Sequence, residues 1–357
     1  MEALYQILCI IFRKFQKEIK VKIFIILLFI VTLSLHAKDY SENPKTKLFI
    51  ESMVKKHNFK KSYLLELFSN VKVQKSALRF FVKRPKKKLT EKQKVRLQKL
   101  YPEHGAWDRY VKLKVTPKRI QQGRAFIKRY QSTFDEVEKH YGVPSEYIAA
   151  IIGIESFYGV NVGKYPVFDT LTTLAFEKNR RNRFFKSELE KFILLSYRQE
   201  FNPKNVRGSY AGAIGLGQFM PSNYEAYGVD FNNDGKIRLQ QAQDAIASVA
   251  NYLKRNGWRR DEAVAARVSY AGNRFKAFKT GYKRTYHREK LKGIEPKYGK
   301  WDYRDKVRLI KLNRTAYDEL WYAAKNFYVI TRYNHSAYYA MSVHQLAMKI
   351  KIKSKEE

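Results

Sequence analysis

The sequence contains a single cysteine, Cys9, among its 357 residues. One thiol cannot form an internal disulfide, so the fold is not a small disulfide framework and depends on its hydrophobic core. Apolar residues make up 45% of the chain, which is ordinary for a globular protein and argues against intrinsic disorder. At this length the chain can bury a large core and hold two or three subdomains.

The N-terminal apolar run, Ile23–Leu35, is too short to span a bilayer comfortably. It follows a basic stretch (residues 13–22) and precedes the small residue Ala37, which is typical of a secretory signal cleaved after Ala37. An uncleaved membrane anchor is the alternative, since leucine is only acceptable three residues before the cleavage point. Because Cys9 lies upstream of the run, it cannot carry a lipid at the cleavage site, and we expect no lipid anchor.

Acidic residues are scarce: 33 Asp and Glu stand against 71 Lys and Arg, and the net charge is +38. Such a balance usually indicates nucleic acid as a partner. The export signal argues against nucleic acid and favours anionic polymers of a bacterial envelope. A generally basic proteome would produce the same composition with no selected partner, so the charge alone identifies none.

Helical periodicity dominates the chain, and a region rich in Tyr, Lys and Arg (265–330) indicates a small β-containing insertion. The predicted helices are Thr46–His57, Lys61–Val71, Thr116–Tyr141, Arg183–Gln199, Gln240–Asn256 and Ser336–Lys349. The predicted strands are Lys306–Leu312 and Asn326–Arg332.

Glu155 lies in a segment that predicts a buried helix between Pro144, suited to a first helical turn, and Gly159, suited to a stop. Apolar residues share its helical face, and burial among them should raise the pKa of the carboxyl group. A carboxylic acid with a raised pKa can protonate a glycosidic leaving group. The alternative is a glutamate that is solvated or paired with one of the many cations.

A glycine-rich segment, Gly-Ser-Tyr-Ala-Gly-Ala-Ile-Gly-Leu-Gly-Gln-Phe-Met-Pro-Ser (208–222), would allow an extended ligand to approach the backbone. Ser209 and Gln218 could then hydrogen-bond to sugar amides and hydroxyls. The residue order of a phosphate-binding loop, GxxxxGK[ST], is absent from it, which excludes that interpretation.

The segment Asp-Phe-Asn-Asn-Asp-Gly-Lys-Ile (230–237) resembles the first half of an EF-hand loop, with oxygen ligands at alternate positions and a glycine at the turn. Position 12 is Gln241 where the ordinary loop has a bidentate Glu, but Asp244 could close a longer loop. The alternative is an Asn/Asp/Gly turn with Asp244 as a helix N-cap. The calcium ligands of the first interpretation are Asp230, Asn232, Asp234, the carbonyl of Lys236, and Asp244.

In this order, the segments resemble the membrane-bound lytic murein transglycosylase B family over roughly residues 44–350. The markers that carry the resemblance are Gly-Ala-Trp-Asp-Arg-Tyr (105–110), Tyr-Gly-Val-Pro (141–144), Gly-Ile-Glu-Ser-Phe-Tyr-Gly (153–159), Asp-Thr-Leu-Thr-Thr-Leu-Ala-Phe (169–176), residues 209–222 and Ile-Thr-Arg-Tyr-Asn (330–334).

The resemblance implies a mainly α (α+β) fold with a lysozyme-like helical core, an N-terminal helical subdomain, a small β-containing insertion and an EF-hand-like loop. The implied division is a signal peptide at 1–37, a helical region at 38–115, the catalytic core at 116–262, the β-containing subdomain at 263–330, and a C-terminal helix completing the core at 331–350.

The same resemblance implies an enzyme that cleaves the β-1,4 bond between N-acetylmuramic acid and N-acetylglucosamine without water, forming 1,6-anhydro ends. Glu155 would be the single acid and then the base. Arg180 and Arg181 would face the peptide stems. The residues implied to line the glycan groove are Tyr110, Ser209, Gln218, Tyr252, Tyr333, Asn334 and Tyr339.

No catalytic cofactor is implied, but a structural Ca²⁺ is. We expect a monomer in the periplasm, soluble or held by an uncleaved leader, that acts on peptidoglycan strands, alone or with other wall enzymes, and not on nucleic acid. A hydrolytic muramidase and a noncatalytic peptidoglycan-binding protein are the alternatives.

Overall fold

The structure is a computed structural model that describes residues 37–82, 89–100, 102 and 104–351. The predicted signal peptide lies outside the described residues, apart from Ala37. Within the described ranges, no helix combines the length and the apolar character that crossing a membrane requires.

Helices dominate the described part of the chain, which confirms the predicted mainly α fold with smaller β elements. The helices are α1 (Pro44–His57), α2 (Lys61–Ser69), α3 (Lys75–Leu78), α4 (Glu91–Leu100), α5 (Ala106–Lys114), α6 (Pro117–Arg129), α7 (Gln131–Tyr141), α8 (Ser145–Ser156), α9 (Val167–Phe176), α10 (Asn182–Arg198), α11 (Pro221–Tyr227), α12 (Ala242–Arg255), α13 (Lys325–Tyr333) and α14 (Ala337–Lys351).

The strands form two short antiparallel pairs and one four-stranded antiparallel sheet of order β6-β5-β8-β7. The strands are β1 (Ala37–Lys38), β2 (Val71–Lys72), β3 (Tyr165–Pro166), β4 (Arg207–Gly208), β5 (Ala265–Tyr270), β6 (Ile294–Pro296), β7 (Arg308–Asn313) and β8 (Asp318–Ala323).

The chain divides into two compact units, and the first comprises the described residues of 37–82 and 169–190. Its helix α1 begins at Asn43, whose side chain accepts hydrogen bonds from two backbone N–H groups of the first turn. Three buried rings meet edge to face at its centre, with Phe49 5.8 Å from Phe176 and 6.0 Å from Phe68. Aromatic burial therefore supplies this unit with a core of its own.

The second unit comprises the described residues of 89–168 and 191–351, and α8 lies at its centre. Every residue of α8 from Tyr147 to Ile154 is buried, because α6, α12 and α14 all pack against the helix. A helix that is apolar on all sides must be enclosed in this way.

The four-stranded sheet also belongs to the second unit, and one face of it is covered by a cluster of buried residues that includes Val268, Leu309 and Tyr322. Strand β5 pairs with both β6 and β8, while β7 and β8 form a hairpin. The sheet lies within the part of the sequence where a β-containing insertion was predicted.

Two predicted elements differ from the structure. The predicted helix Thr116–Tyr141 is two helices, because Tyr130 leaves the helical conformation with φ −115° and ψ 33°. The predicted strand Asn326–Arg332 was wrong, since these residues lie in helix α13. Asn326 ties this helix to the loop between α12 and β5 by donating to the carbonyls of Arg259 and Glu262 at 2.8 and 3.0 Å.

Candidate functional site

Glu155 is the second-last residue of α8, which begins after Pro144, its N-cap. The helix ends at Ser156 and not at the predicted Gly159, because Phe157 and Tyr158 both adopt left-handed conformations at φ 54° and 58°. Two consecutive non-glycine residues with positive φ are strained, and such strain persists only where surrounding contacts hold it.

Contacts to α6 hold this strained helix end. The Tyr158 hydroxyl donates to the carbonyl of Arg119 at 2.8 Å, and the Arg119 Nε donates to the carbonyl of Gly153 at 2.9 Å. A Cβ atom at Gly153 would lie 2.5 Å from the Tyr158 hydroxyl oxygen, so only glycine allows this close approach. Contacts with Arg119 at Gly153 and at Tyr158 thereby fix the backbone before and after Glu155.

The Glu155 carboxyl group is partly buried and accepts one hydrogen bond, from the Tyr339 hydroxyl to Oε1 at 2.6 Å. Burial raises the pKa of Glu155 above its ordinary value, against the lowering effects of the Tyr339 hydrogen bond and of the nearby Lys114. The predicted rise in the pKa of this carboxyl group is therefore present in the structure. Such a group can remain protonated where an exposed glutamate would be ionised.

Three of the four predicted groove tyrosines lie near Glu155, and the fourth, Tyr252, packs against one of them. Burial, followed by the Glu155 charge, raises the pKa of Tyr110, Tyr333 and Tyr339, so all three remain protonated donors at neutral pH. The rings of Tyr333 and Tyr339 stack at 6.5 Å, and Tyr252 contacts Tyr333 at 4.8 Å. Tyr252 and Tyr339 are buried, so the half-buried Tyr110 and Tyr333 are the members of this group whose ring faces a sugar can reach.

Lys114 is the neighbour of Glu155 that the sequence analysis missed. Its only signal was its position four residues after Tyr110, which places both on one face of α5. The ring of Tyr110 packs between Trp107, at 6.1 Å, and Tyr338, at 5.7 Å. Helix α5 thus brings both a cation and a tyrosine toward the acid.

Ser209 and Gln218 serve the glycine-rich loop itself. The Ser209 hydroxyl oxygen accepts from the N–H groups of Ala211 and Ala213 at 3.3 and 3.0 Å. The Gln218 amide donates to the carbonyls of Val162 and Gly215, both at 2.9 Å. The structure thus gives these two side chains a part in shaping the loop, while their predicted part in glycan binding stays a prediction.

The same loop contacts the tyrosine cluster through its backbone. The Tyr333 hydroxyl donates to the carbonyl of Gly217 at 2.5 Å, and a Cβ atom at Gly217 would lie 2.9 Å from that hydroxyl oxygen. Asn334 follows Tyr333 and is exposed. Loop, tyrosines and acid therefore form one connected site.

The predicted calcium loop is closed by backbone hydrogen bonds to its acidic side chains. Asp230 accepts from the N–H groups of Asp234 and Gly235 at 3.2 and 2.8 Å, and Asp234 accepts from the N–H of Lys236 at 2.9 Å. Asp244 is fully buried, and its carboxylate accepts from residues 231 and 238 at 3.0 and 2.6 Å. It lies in the first turn of α12, whose N-cap is Gln241, so the N-cap alternative for Asp244 was wrong.

The electrostatics of this loop fit a divalent cation. Burial raises the pKa of Asp244 against the lowering effect of the N–H groups of Arg238 and Phe231, and the charges of Asp230 and Asp234 add a smaller rise. A bound cation would relieve that repulsion, and Gly235 takes the sharp turn at φ 80°. Within the described residues, no three His, Cys, Asp or Glu side chains converge as a metal site. Binding of an ion would therefore require Asp230, Asp234 and Asp244 to draw together, with an Asn oxygen and a backbone carbonyl completing the coordination.

A helical core that holds a glutamic acid with a raised pKa fits lysozyme-like enzymes, which cleave glycans by protonating the leaving oxygen. Residues 41–348 match the transglycosylase SLT domain, and the chain belongs to this family of lytic transglycosylases, enzymes that act on peptidoglycan. The predicted family, fold and enzyme class are thereby confirmed.

Among its relatives, the chain is 38% identical over 316 residues to the membrane-bound lytic murein transglycosylase B of Escherichia coli K12, covering 87% of this chain and 84% of that protein. The E. coli lytic transglycosylase Slt35 in complex with bulgecin A has a TM-score of 0.77 and 37% identity, covering 88% and 94% of the two chains. The same enzyme in complex with calcium gives 0.77 and 37%, covering 88% and 95%.

Proposed function

We propose that this chain cleaves the β-1,4 bond between N-acetylmuramic acid and N-acetylglucosamine with Glu155 as the only acid and base. The observation that carries this proposal is the partly buried Glu155 carboxyl, held by Tyr339 at 2.6 Å, with a pKa raised by burial. In the first step the protonated carboxyl gives its proton to the glycosidic oxygen as the bond from that oxygen to C1 of the muramoyl sugar breaks.

In the second step the Glu155 carboxylate takes the proton of the muramoyl C6 hydroxyl, whose oxygen bonds to C1. The product is a 1,6-anhydro ring, and Glu155 returns to its protonated form with no water consumed. Tyr339 and Lys114 both favour the carboxylate form, which assists the donation of the proton. Burial opposes them by favouring the protonated form. The surroundings of Glu155 therefore stabilise both protonation states that the two steps require.

The surroundings of Glu155 support a mechanism with one carboxyl group. Ordinary glycosidases place a second carboxylate opposite the acid as nucleophile or base. Among the described residues, no other carboxylate hydrogen-bonds to Glu155 or shifts its pKa. The N-acetyl group of the substrate would take the place of that second carboxylate, or the positive charge that develops would be stabilised without a nucleophile.

The groove residues would bind the sugars on either side of the bond. Tyr110 and Tyr333 are half-buried and would provide ring faces, while the buried Tyr252 would support the Tyr333 ring. Asn334 is exposed beside Tyr333 and would reach an acetamide. Ser209 and Gln218 would contribute through the loop that they shape. This division of roles separates the residues that touch sugar from those that hold the loop.

The calcium loop would stabilise the enzyme without entering the chemistry. Asp230, Asn232, Asp234, the Lys236 carbonyl and Asp244 would hold the ion, which supplies a positive charge that ties the loop to the start of α12. The Slt35 structure in complex with calcium supports this assignment. The enzyme would act in the periplasm on peptidoglycan strands as a monomer, soluble or held by its leader, and a membrane-bound relative supports an envelope location.

Digestion of purified sacculi by the full chain tests the proposal, with Glu155→Gln as the inactive variant and the exposed Glu136→Gln as a matched control. We expect wild type and control to release muropeptides ending in 1,6-anhydro-N-acetylmuramic acid, and Glu155→Gln to lose roughly 100-fold or more in rate. Equal cleavage by Glu155→Gln would overturn the role of Glu155. An absence of cleavage by the wild type would favour a binding protein.

A further inference from the structure

Two neighbouring cavities of the second unit are lined by cations. One, of about 470 Å³, is lined by Lys283, Tyr328 and Arg332 among others. The other, of about 360 Å³, is lined by several cations of the loop before β7 and of the start of α13. Together these side chains form the Tyr328 cationic surface, defined as Lys283, Arg304, Lys306, Arg308, Lys325 and Arg332.

Few carboxylates balance these cations. In the smaller cavity Asp305 is already paired with Arg259 at 2.7 Å, and the same arginine also pairs with Glu262 at 3.0 Å. Arg304 has only a long and exposed contact to Asp302 at 3.7 Å. Elsewhere on the surface, no ion pair joins a cation to a carboxylate within the described part of the chain. The surface therefore carries a net positive charge that its own residues leave unmatched.

Two of these cations share one aromatic ring. The Arg308 guanidinium and the Lys325 ammonium lie over the same Tyr328 ring, 4.4 and 5.5 Å from its centroid. Burial lowers the pKa of Arg308. Lys325 is the first residue of α13, where the positive end of the helix dipole disfavours a cation, and the first turn contains no acidic residue. The ring contacts are favourable and hold the two cations in place, whereas a negatively charged ligand would offset both their charge and the unfavourable position of Lys325 at the helix start.

The surface continues into the candidate active site through hydrogen bonds. Arg308 Nε donates to the carbonyl of Tyr282 at 2.9 Å, and the Tyr282 hydroxyl donates to the carbonyl of His335 at 3.1 Å. His335 stands two residues after Tyr333, whose ring lies beside Tyr339. Arg332 and His335, which flank Tyr333 and Asn334 in the sequence, both line the larger cavity, so this cavity lies beside two of the proposed groove residues.

We propose that the Tyr328 cationic surface, which includes neither Arg180 nor Arg181, binds carboxylates of the peptide stems on a strand whose glycan lies against Glu155. The inference rests on the proposed function, because it takes its ligand from that substrate. The sugars of such a strand are uncharged, and its carboxylates belong to the stems. Arg and Lys bind carboxylates through charge-assisted hydrogen bonds. Six cations spread over two cavities fit several spaced carboxylates better than one compact anion.

The test compares strands that carry stems with strands from which the stems have been removed. The variant Arg304→Gln/Lys306→Gln/Lys325→Gln removes three charges from the surface. The matched control, Lys55→Gln/Lys56→Gln/Lys60→Gln, removes three exposed charges from the first unit. A second variant, Lys283→Gln, changes one exposed side chain and serves if the triple variant fails to fold.

For strands with stems we expect KM to rise roughly three- to tenfold in the triple variant, with kcat unchanged, since each exposed pair contributes modestly. The increase should shrink at high salt and should be absent for stem-free strands and for the control. An equal change on both substrates, or no change on either, would overturn the inference while leaving cleavage by Glu155 intact. Loss of anhydro products in the wild type would instead overturn the proposed function.

Direct binding distinguishes stem carboxylates from phosphate. Full-length Glu155→Gln protein is titrated with a free acidic stem peptide and, separately, with inorganic phosphate. We expect the peptide to bind and the added surface substitutions to weaken that binding. Binding of phosphate alone, lost with the same substitutions, would contradict the inference and identify a phosphate-bearing polymer as the ligand.

Discussion

The Tyr339 hydroxyl donates a hydrogen bond to Glu155 Oε1 at 2.6 Å, and this bond joins two residues that are 184 positions apart in the chain. It connects α14 to the end of α8. Burial, and then the charge of Glu155, raises the pKa of Tyr339, so the hydroxyl remains a donor across the working pH range. The bond orients the carboxyl group and opposes the effect of burial on its pKa.

Replacement of Tyr339 by Phe should therefore change both the rate and its pH dependence. Loss of a hydrogen bond that favours the carboxylate raises the pKa of Glu155, so the alkaline limb of kcat/KM should move to higher pH. We expect kcat to fall by roughly tenfold or more, as for the loss of a hydrogen bond to a charged group. The exposed Tyr298→Phe is the control. An alkaline limb that stays in place in Tyr339→Phe would show that the bond does not tune the acid.

Lys114→Met tests the electrostatic neighbour separately. Removing this cation should also raise the pKa of Glu155 and move the alkaline limb upward, while the Tyr339 hydrogen bond remains. The measurement is the pH profile of kcat/KM at low and high salt, because screening should reduce the difference from wild type. Lys112→Met changes an exposed lysine on the same helix and should leave the profile unchanged. Identical pH profiles for Lys114→Met and Lys112→Met would show that Lys114 does not affect the pKa of Glu155.

His344 should make stability depend on pH. It is buried, hydrogen-bonded to the Tyr147 hydroxyl at 2.8 Å, and burial lowers its pKa from 6.5 to about 4. Because the folded pKa is lower than the unfolded one, stability is complete above pH 6.5 and is lost as the pH falls toward 4. The loss amounts to about 3 kcal/mol at most.

Urea unfolding at several pH values between 7.5 and 4 measures this loss. The free energy of unfolding of wild type should fall more steeply with decreasing pH than that of His344→Gln, which has no titrating ring. The two slopes should differ by about one proton within that window. Parallel slopes would mean that His344 does not stay neutral in the folded protein.

Calcium should stabilise the chain without being needed for the chemical step. We expect added Ca²⁺ to raise the thermal unfolding midpoint of wild type, and chelation to lower it, because an ion that binds only the folded state stabilises it by mass action. Asp230→Asn should abolish the response, whereas the exposed Asp302→Asn should retain it. A midpoint that does not respond to Ca²⁺ in wild type would exclude the site.

The sequence was sufficient to predict the Glu155 helix because its boundary residues and apolar content are local signals. The end of that helix was misplaced because the strain at Phe157 and Tyr158 is held by Arg119, far away in the chain. Nothing in the local sequence records that contact.

Helix α13 was predicted as a strand for a related reason. Its core, Phe327–Ile330, is aromatic and β-branched, which is typical of strands. The hydrogen bond from Asn326 and the packing of buried residues on both sides of the segment stabilise the helix instead of a strand. The tyrosines of the site could be predicted through the family resemblance, whereas Lys114 could not, because its proximity to Glu155 depends on how α5 packs.

Digestion of stem-bearing strands in ¹⁸O-enriched water tests most directly whether the C6 hydroxyl, and not water, attacks C1. If the C6 hydroxyl displaces the leaving sugar, every new muramoyl end is a 1,6-anhydro ring, and mass spectrometry finds no ¹⁸O at C1. Reducing ends that carry ¹⁸O at C1 would show that water attacks, and would contradict the proposed attack by the C6 hydroxyl.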